Sequence, residues 1–85
     1  MRRDRIVVGA LGDDADVRGV ARRLRDEGHE VVYVGGGQSP EQLVSTAVAE
    51  DAARVVAVGD PAGIAALETL CAEHGIAGGG PVAGV

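Results

Sequence analysis

Three short runs of β-branched residues, each followed by a helical pattern, constrain this chain most. They are residues 5–11 (RIVVGAL), 30–34 (EVVYV) and 54–58 (RVVAV). Each is too short for a buried helix, rich in Val and Ile, and bounded by glycine or aspartate, so each reads as a strand. Between the first two, Val17, Val20, Ala21 and Leu24 fall at i, i+3, i+4 and i+7, which is one face of a helix. Arg18, Arg22, Arg23 and Asp26 take the other side. Leu43, Val44, Ala47 and Val48 repeat that stripe after the second strand, and Ile64, Ala65, Leu67 and Cys71 after the third. Strands that are apolar throughout and alternate with helices predict a parallel sheet covered on both faces, joined by right-handed crossovers. The fold class is α/β: a flavodoxin/Rossmann-like three-layer fold with a sheet of three to four strands.

Punctuation supports these boundaries. Asp16 stands where it can cap the first helix, and Gly28 where a left-handed residue can end it. Ser39-Pro40-Glu41-Gln42 reads as N-cap, first helical residue and capping box. Asp60-Pro61 repeats the cap-plus-proline pattern, and Gly75 ends the third helix. Ile76-Ala77 begins a short fourth strand that Gly78-Gly79-Gly80-Pro81 is expected to cut off. The expectation is one domain over residues 1–85, with 78–85 a flexible tail. Tyr33 is the only aromatic residue among the 85. A buried large apolar side chain contributes about 1.5–3 kcal/mol, and this chain has few of them. A domain this small is marginal alone, so a homodimer or a larger partner subunit is expected.

Thirteen acidic residues face eight basic ones, all arginine, for a net charge of −5. Such a chain repels phosphate backbones, so nucleic acid is not an expected partner. Arg2-Arg3 leads into a strand and not into a signal-peptide core. No apolar run approaches the ~20 residues of a membrane span, and no membrane association is expected. A single cysteine suits a reducing cytoplasm.

Ligands of such sheets sit beyond the carboxyl ends of the strands, here loops 12–16, 35–39, 59–62 and 78–81. The first carries Gly12-Asp13-Asp14-Ala15-Asp16-Val17-Arg18-Gly19. This segment resembles the D-x-H-x-x-G signature of cobalamin-binding domains of the methylmalonyl-CoA-mutase type. Asp14 and Gly19 match it, and Asp16 stands where the family has its cobalt-ligating histidine. The resemblance continues through EGHEVVYVGGGQSPEQLVSTAVAEDAARVVAVG and covers residues 5–63.

What the resemblance implies is a cobalamin site. In the family the loop histidine ligates cobalt and the motif's aspartate orients it. The displaced nucleotide tail enters a slot beside the third strand, lined by an S-x-L motif and a glycine pair. The S-x-L positions here are Gly59, Asp60 and Pro61, so the serine and leucine are missing; Gly79, in the late glycine run, is matched to the pair. The candidate cofactor residues are therefore Gly12, Asp14, Asp16, Gly19, Gly59 and Gly79. A carboxylate is a hard anionic ligand and a poor substitute for imidazole at cobalt. Base-on cobalamin, which keeps its own base on the metal, needs no histidine, and Asp16 also reads simply as a helix cap.

Other constellations are weaker. Asp13, Asp14 and Asp60 resemble the acidic Mg²⁺ pocket of two-component receiver domains, but receivers also use a lysine and this chain has none. His29 and His74 have no partner at metal-ligand spacing and read as helix-end or surface residues. Cys71 lies on an apolar stripe and reads as core. Three functions are compatible with these residues. One is a stand-alone cobalamin carrier or accessory subunit serving a mutase- or methyltransferase-like partner in trans. It would not be catalytic alone, and its isomerase chemistry would belong to the cofactor and the partner. The second is a degenerate interaction or dimerisation module without cobalamin. The third is a sensor of metals or small molecules using the acidic loop.

Overall fold

The first strand is buried on both faces, which explains why its sequence is apolar without alternation. In the computed structural model, which describes residues 4–13 and 16–80, Ile6, Val7, Val8 and Ala10 have no exposed surface. The elements run β1 (Arg5–Ala10), α1 (Val17–Asp26), β2 (Glu30–Gly35), α2 (Pro40–Ala49), β3 (Arg54–Val58), α3 (Pro61–Glu73) and β4 (Ala77–Gly79). The sheet has the order β2-β1-β3-β4, and every pairing is parallel. This is the α/β, flavodoxin-like arrangement expected from the strand–helix alternation.

Alternate residues of the central strands feed two cores. Ile6, Val8, Ala10 and Val56 pack with Val17 and Ala21 of α1. Val7, Val55 and Ala57 pack with Leu43 and Ala47 of α2 and with Leu67 and Cys71 of α3. The predicted helix stripes are thus the buried ones. At the amino ends of the strands, Arg5 Nε donates to Glu30 Oε2 at 3.0 Å, and Arg5 Nη1 donates to the Glu50 carbonyl at 2.6 Å. This side chain ties β1 to β2 and to the end of α2.

Three helix boundaries follow the sequence closely. Ser39 Oγ accepts from Gln42 N at 3.1 Å while Gln42 Oε1 accepts from Ser39 N at 2.8 Å, closing the capping box. Gly28 and Gly75 both take positive φ, +95° and +68°, after α1 and α3. The start of α1 departs from expectation. Asp16 occupies the N-cap position, but its backbone is already helical (φ −88°, ψ −21°) and its side chain makes no capping bond. An aspartate caps from an extended backbone, as Asp60 does at φ −74° and ψ 162°. Asp16 is turned out of that geometry.

The late glycines also correct an expectation. They do not cut β4 off: Gly78 and Gly79 are part of it, paired with Val55 and Val56. The expected tail therefore does not begin at residue 78, and residues 81–85 lie outside the described ones. The reason is a close approach. A Cβ on Gly78 would overlap Cys71 Sγ and come within 2.9 Å of Cys71 Cβ. Only glycine lets α3 lie this close to the edge strand. Gly78→Ala is expected to destabilise the protein by about 1–3 kcal/mol. In a Cys71→Ala background the same change should cost less, a coupling that a double-mutant cycle in urea measures directly.

Candidate functional site

The chain leaves β1 toward β2 on one side, while β3 lies on the other. The carboxyl ends of β1 and β3 therefore flank the position where the connections diverge, which is where open parallel sheets hold ligands. Backbone hydrogen bonds fix the loops there into one frame. Gly37 N donates to Gly12 O at 2.8 Å and Gln38 N to Ala10 O at 3.0 Å, joining the loop after β2 to the loop after β1. Leu11 N donates to Val58 O at 2.8 Å, extending the β1–β3 ladder by one residue. The Gln38 side chain braces the same corner, with Nε2 3.3 Å from Val34 O.

The structure brings Gly12, Asp16 and Gly59 to this end of the sheet. Gly12 is exposed, and a Cβ there would meet no atom within 4 Å. Asp16 is also exposed. Asp14, the other acidic residue matched to the cobalamin signature, lies outside the described residues. Gly19 sits in the first turns of α1 on its exposed side, and a Cβ there would also meet nothing within 4 Å. A glycine inside a helix costs about 1 kcal/mol relative to alanine, and among the described residues no contact requires this one.

Gly79 does not join this group. It pairs with Val56, three residues before Gly59 along β3, so it lies about 10 Å short of the loops at ~3.3 Å per residue. Its neighbour is Glu68, whose Oε2 is 3.0 Å from the position of an added Cβ. Asp60 is committed elsewhere: its Oδ1 accepts from Gly63 N at 2.8 Å and caps α3. Among the described residues no group of three or more His, Cys, Asp or Glu side chains is placed to hold a metal ion.

One residue at this site was not legible beforehand. Leu11 lies directly over Gly59 and Gly63. A Cβ on Gly59 would sit 2.7 Å from Leu11 Cδ1 and 2.9 Å from Leu11 Cβ, and a Cβ on Gly63 would sit 2.7 Å from the same Cδ1. Nothing in the local sequence announces a contact between residues so far apart.

Both histidines lie at the opposite pole. His29 immediately precedes β2, with Nε2 3.7 Å from Glu27 Oε1. His74 follows α3, with Nδ1 2.9 Å from the Leu70 carbonyl. Because the chain has only these two, it offers no imidazole at the carboxyl ends of the strands. Cys71 is fully buried in the α3 core, where burial pushes its thiol above the ordinary value. It serves as core and is not placed as a nucleophile.

These residues do not fit a cobalamin whose base has been displaced. In the resembled family that form is held by a loop histidine, the position matched here by the exposed Asp16, and neither histidine of this chain lies at this end of the sheet.

No family model matches the chain. It is similar to the 2-hydroxyisobutanoyl-CoA mutase small subunit of Aquincola tertiaricarbonis, with 50% identity over 44 residues. That segment is 52% of this chain and 32% of the relative, so the match spans about a third of the relative's length. The similarity is of the mutase type that the D-x-H-x-x-G-like segment suggests.

Single substitutions test which of these glycines and aspartates the fold needs. Asp60→Ala is expected to destabilise by about 0.5–2 kcal/mol through loss of its cap, whereas Asp16→Ala should stay within about 0.5 kcal/mol of wild type. Gly19→Ala should stabilise by roughly 0.5–1 kcal/mol. Midpoints of chemical denaturation check all three.

Proposed function

We propose that this chain is an accessory subunit of the mutase small-subunit kind, acting in trans with a catalytic subunit, and that its cobalamin site is altered. The observation that carries this reading is the 50% identity over 44 residues to a mutase small subunit. The geometry supports it. Gly12 and Asp16 lie beyond the carboxyl ends of the strands, and Gly12 and Gly19 are exposed, with nothing within 4 Å of an added Cβ. Gly19 costs helix stability, and among the described residues no close contact requires a glycine there.

The chain does not carry out catalysis by itself. Its site offers exposed carboxylates and backbone groups, its thiol is buried and its histidines are at the far pole. Radical or methyl-transfer chemistry would be supplied by the cofactor and by the partner's substrate pocket. What this chain's residues do is hold and present. The frame of residues 10–12 and 37–38 fixes the loop, and Asp16 contributes negative charge beside it in place of a cobalt donor.

A second reading has its own observation. Beside α1, residues of β3 and β4 line an open groove of about 380 Å³ together with Leu24 and Glu68. A module that uses such a surface for assembly alone would bind a partner without any cofactor.

Co-expression with a mutase catalytic subunit, followed by size-exclusion chromatography, tests the shared claim. The two chains are expected to elute together. Separate elution, with and without added adenosylcobalamin, sinks the accessory-subunit reading. Co-elution that Gly19→Ala leaves intact while it weakens cobalamin retention assigns that glycine to the cofactor. Co-elution without any cofactor in the peak favours the assembly module.

A further inference from the structure

We propose that the hollow between α1 and the edge strand β2 is an anion-binding site, built by Arg18, Arg22 and Arg25 and suited to the diphosphate of a small molecule. The inference needs neither cobalamin nor a partner subunit and stands apart from the reading above.

Helix α1 packs against β1 and β2, and β2 is at the edge of the sheet. Tyr33 of β2 is half-buried against the core that α1 covers. Beside it lies a hollow of about 440 Å³, lined by Arg18, Gly19, Ala21, Arg22, Arg25 and Tyr33. Small-molecule sites run from about 300 to 1,000 Å³. The sequence accounts for the shape. Residues 18, 22 and 25 are spaced i, i+4 and i+7, so they share one flank of the helix. Gly19 and Ala21 carry little or no side chain, and a Cβ on Gly19 would meet nothing within 4 Å. The floor between the arginines therefore stays low.

Three of the eight arginines line this hollow, and no described acidic residue does. Arg22 and Arg25 are exposed and form no ion pair among the described residues. Arg23, one position along, lines the groove on the other flank of α1, together with Glu27 and Glu68. Like charges one turn apart repel, and an anion seated between them turns that repulsion into attraction. Each guanidinium presents two parallel N–H donors that match phosphate oxygens. The three arginines extend over about 10 Å of helix at ~1.5 Å per residue, longer than one phosphate and matched to two that are linked. The net charge of −5 acts from further away and is screened beyond about 8–10 Å at physiological salt. The field in the hollow is set by the arginines that line it. A concave site of this volume, walled by a ring, favours a small molecule over an acidic protein surface.

Tyr33 is the only aromatic residue, so tyrosine emission reports on this hollow alone. Titration of the purified chain with inorganic pyrophosphate at low ionic strength is expected to change that emission saturably. Arg22→Gln should weaken binding at least about tenfold, through loss of a charge-assisted pair. Arg23→Gln removes the same charge from the other flank of the same helix and should change the affinity less than about threefold. Arg22→Gln relieves a repulsion and breaks no described contact, so the variant is expected to fold. Arg22→Lys, which keeps the charge and loses the fork, is expected to show a smaller loss and replaces it should it unfold. No saturable change at several millimolar pyrophosphate overturns the proposal, and so does equal weakening by Arg22→Gln and Arg23→Gln. A saturable response to a poly-glutamate peptide with none to pyrophosphate also overturns it, and assigns the face to an acidic protein instead.

Discussion

Everything in this fold depends on β1 lying between two parallel strands with both of its faces covered. Its backbone pairs with β2 on one edge and β3 on the other. Ile6, Val8 and Ala10 fill the α1 core, and Val7 fills the α2–α3 core. A strand so enclosed must end where the loops can reach water, and the end of β1 is where the chain turns outward. The same strand that supplies much of the hydrophobic stabilisation, at about 25 cal/mol per Å² of apolar surface buried, therefore also fixes the site. Leu11 is the first residue past β1, Gly12 the second, and the ladder bond from Leu11 to Val58 carries the rigidity of the sheet into the loop.

The poles of the molecule divide the labour. At the amino ends, Arg5 joins Glu30 and the Glu50 carbonyl, and both histidines lie there. This end holds the layers together. At the carboxyl ends, glycines replace bulky residues and the loops are tied to one another by backbone bonds. The rigid frame of residues 10–12 and 37–38 suits a surface that presents a ligand without reorganising. Neither Asp16 nor Gly19 is used by the fold: one makes no cap bond and the other no close contact.

Much of the architecture was legible because it rests on local periodicity. Period-free apolar runs marked β1 and β3, and i, i+3, i+4 spacing marked the helix faces, since a buried stripe must recur every turn. The capping box at Ser39 and the left-handed turns at Gly28 and Gly75 were legible from single residues, because few residue types meet those backbone demands. What escaped depends on contacts between distant residues. A short fourth strand was expected from Ile76-Ala77, but its continuation through Gly78 and Gly79 was not, because glycine carries no strand signal of its own. Asp16 fails to cap because its backbone has already turned helical. Leu11, Gly59 and Gly63 are each unremarkable alone and become a unit only when β1 and β3 pair. The positions of Gly12, Asp16 and Gly59 at the carboxyl ends of the strands were legible from the strand–helix order, whereas the packing of Leu11 on Gly59 and Gly63 was not.

Titration of the purified chain with methylcobalamin, followed by visible spectrum and heat together, tests the central claim most directly. The account requires saturable heat with an absorption spectrum that keeps its base-on form. A base-off spectrum would contradict the base-on reading and mean that something other than imidazole meets the cobalt. No heat and no spectral retention at high micromolar protein would contradict cobalamin carriage altogether.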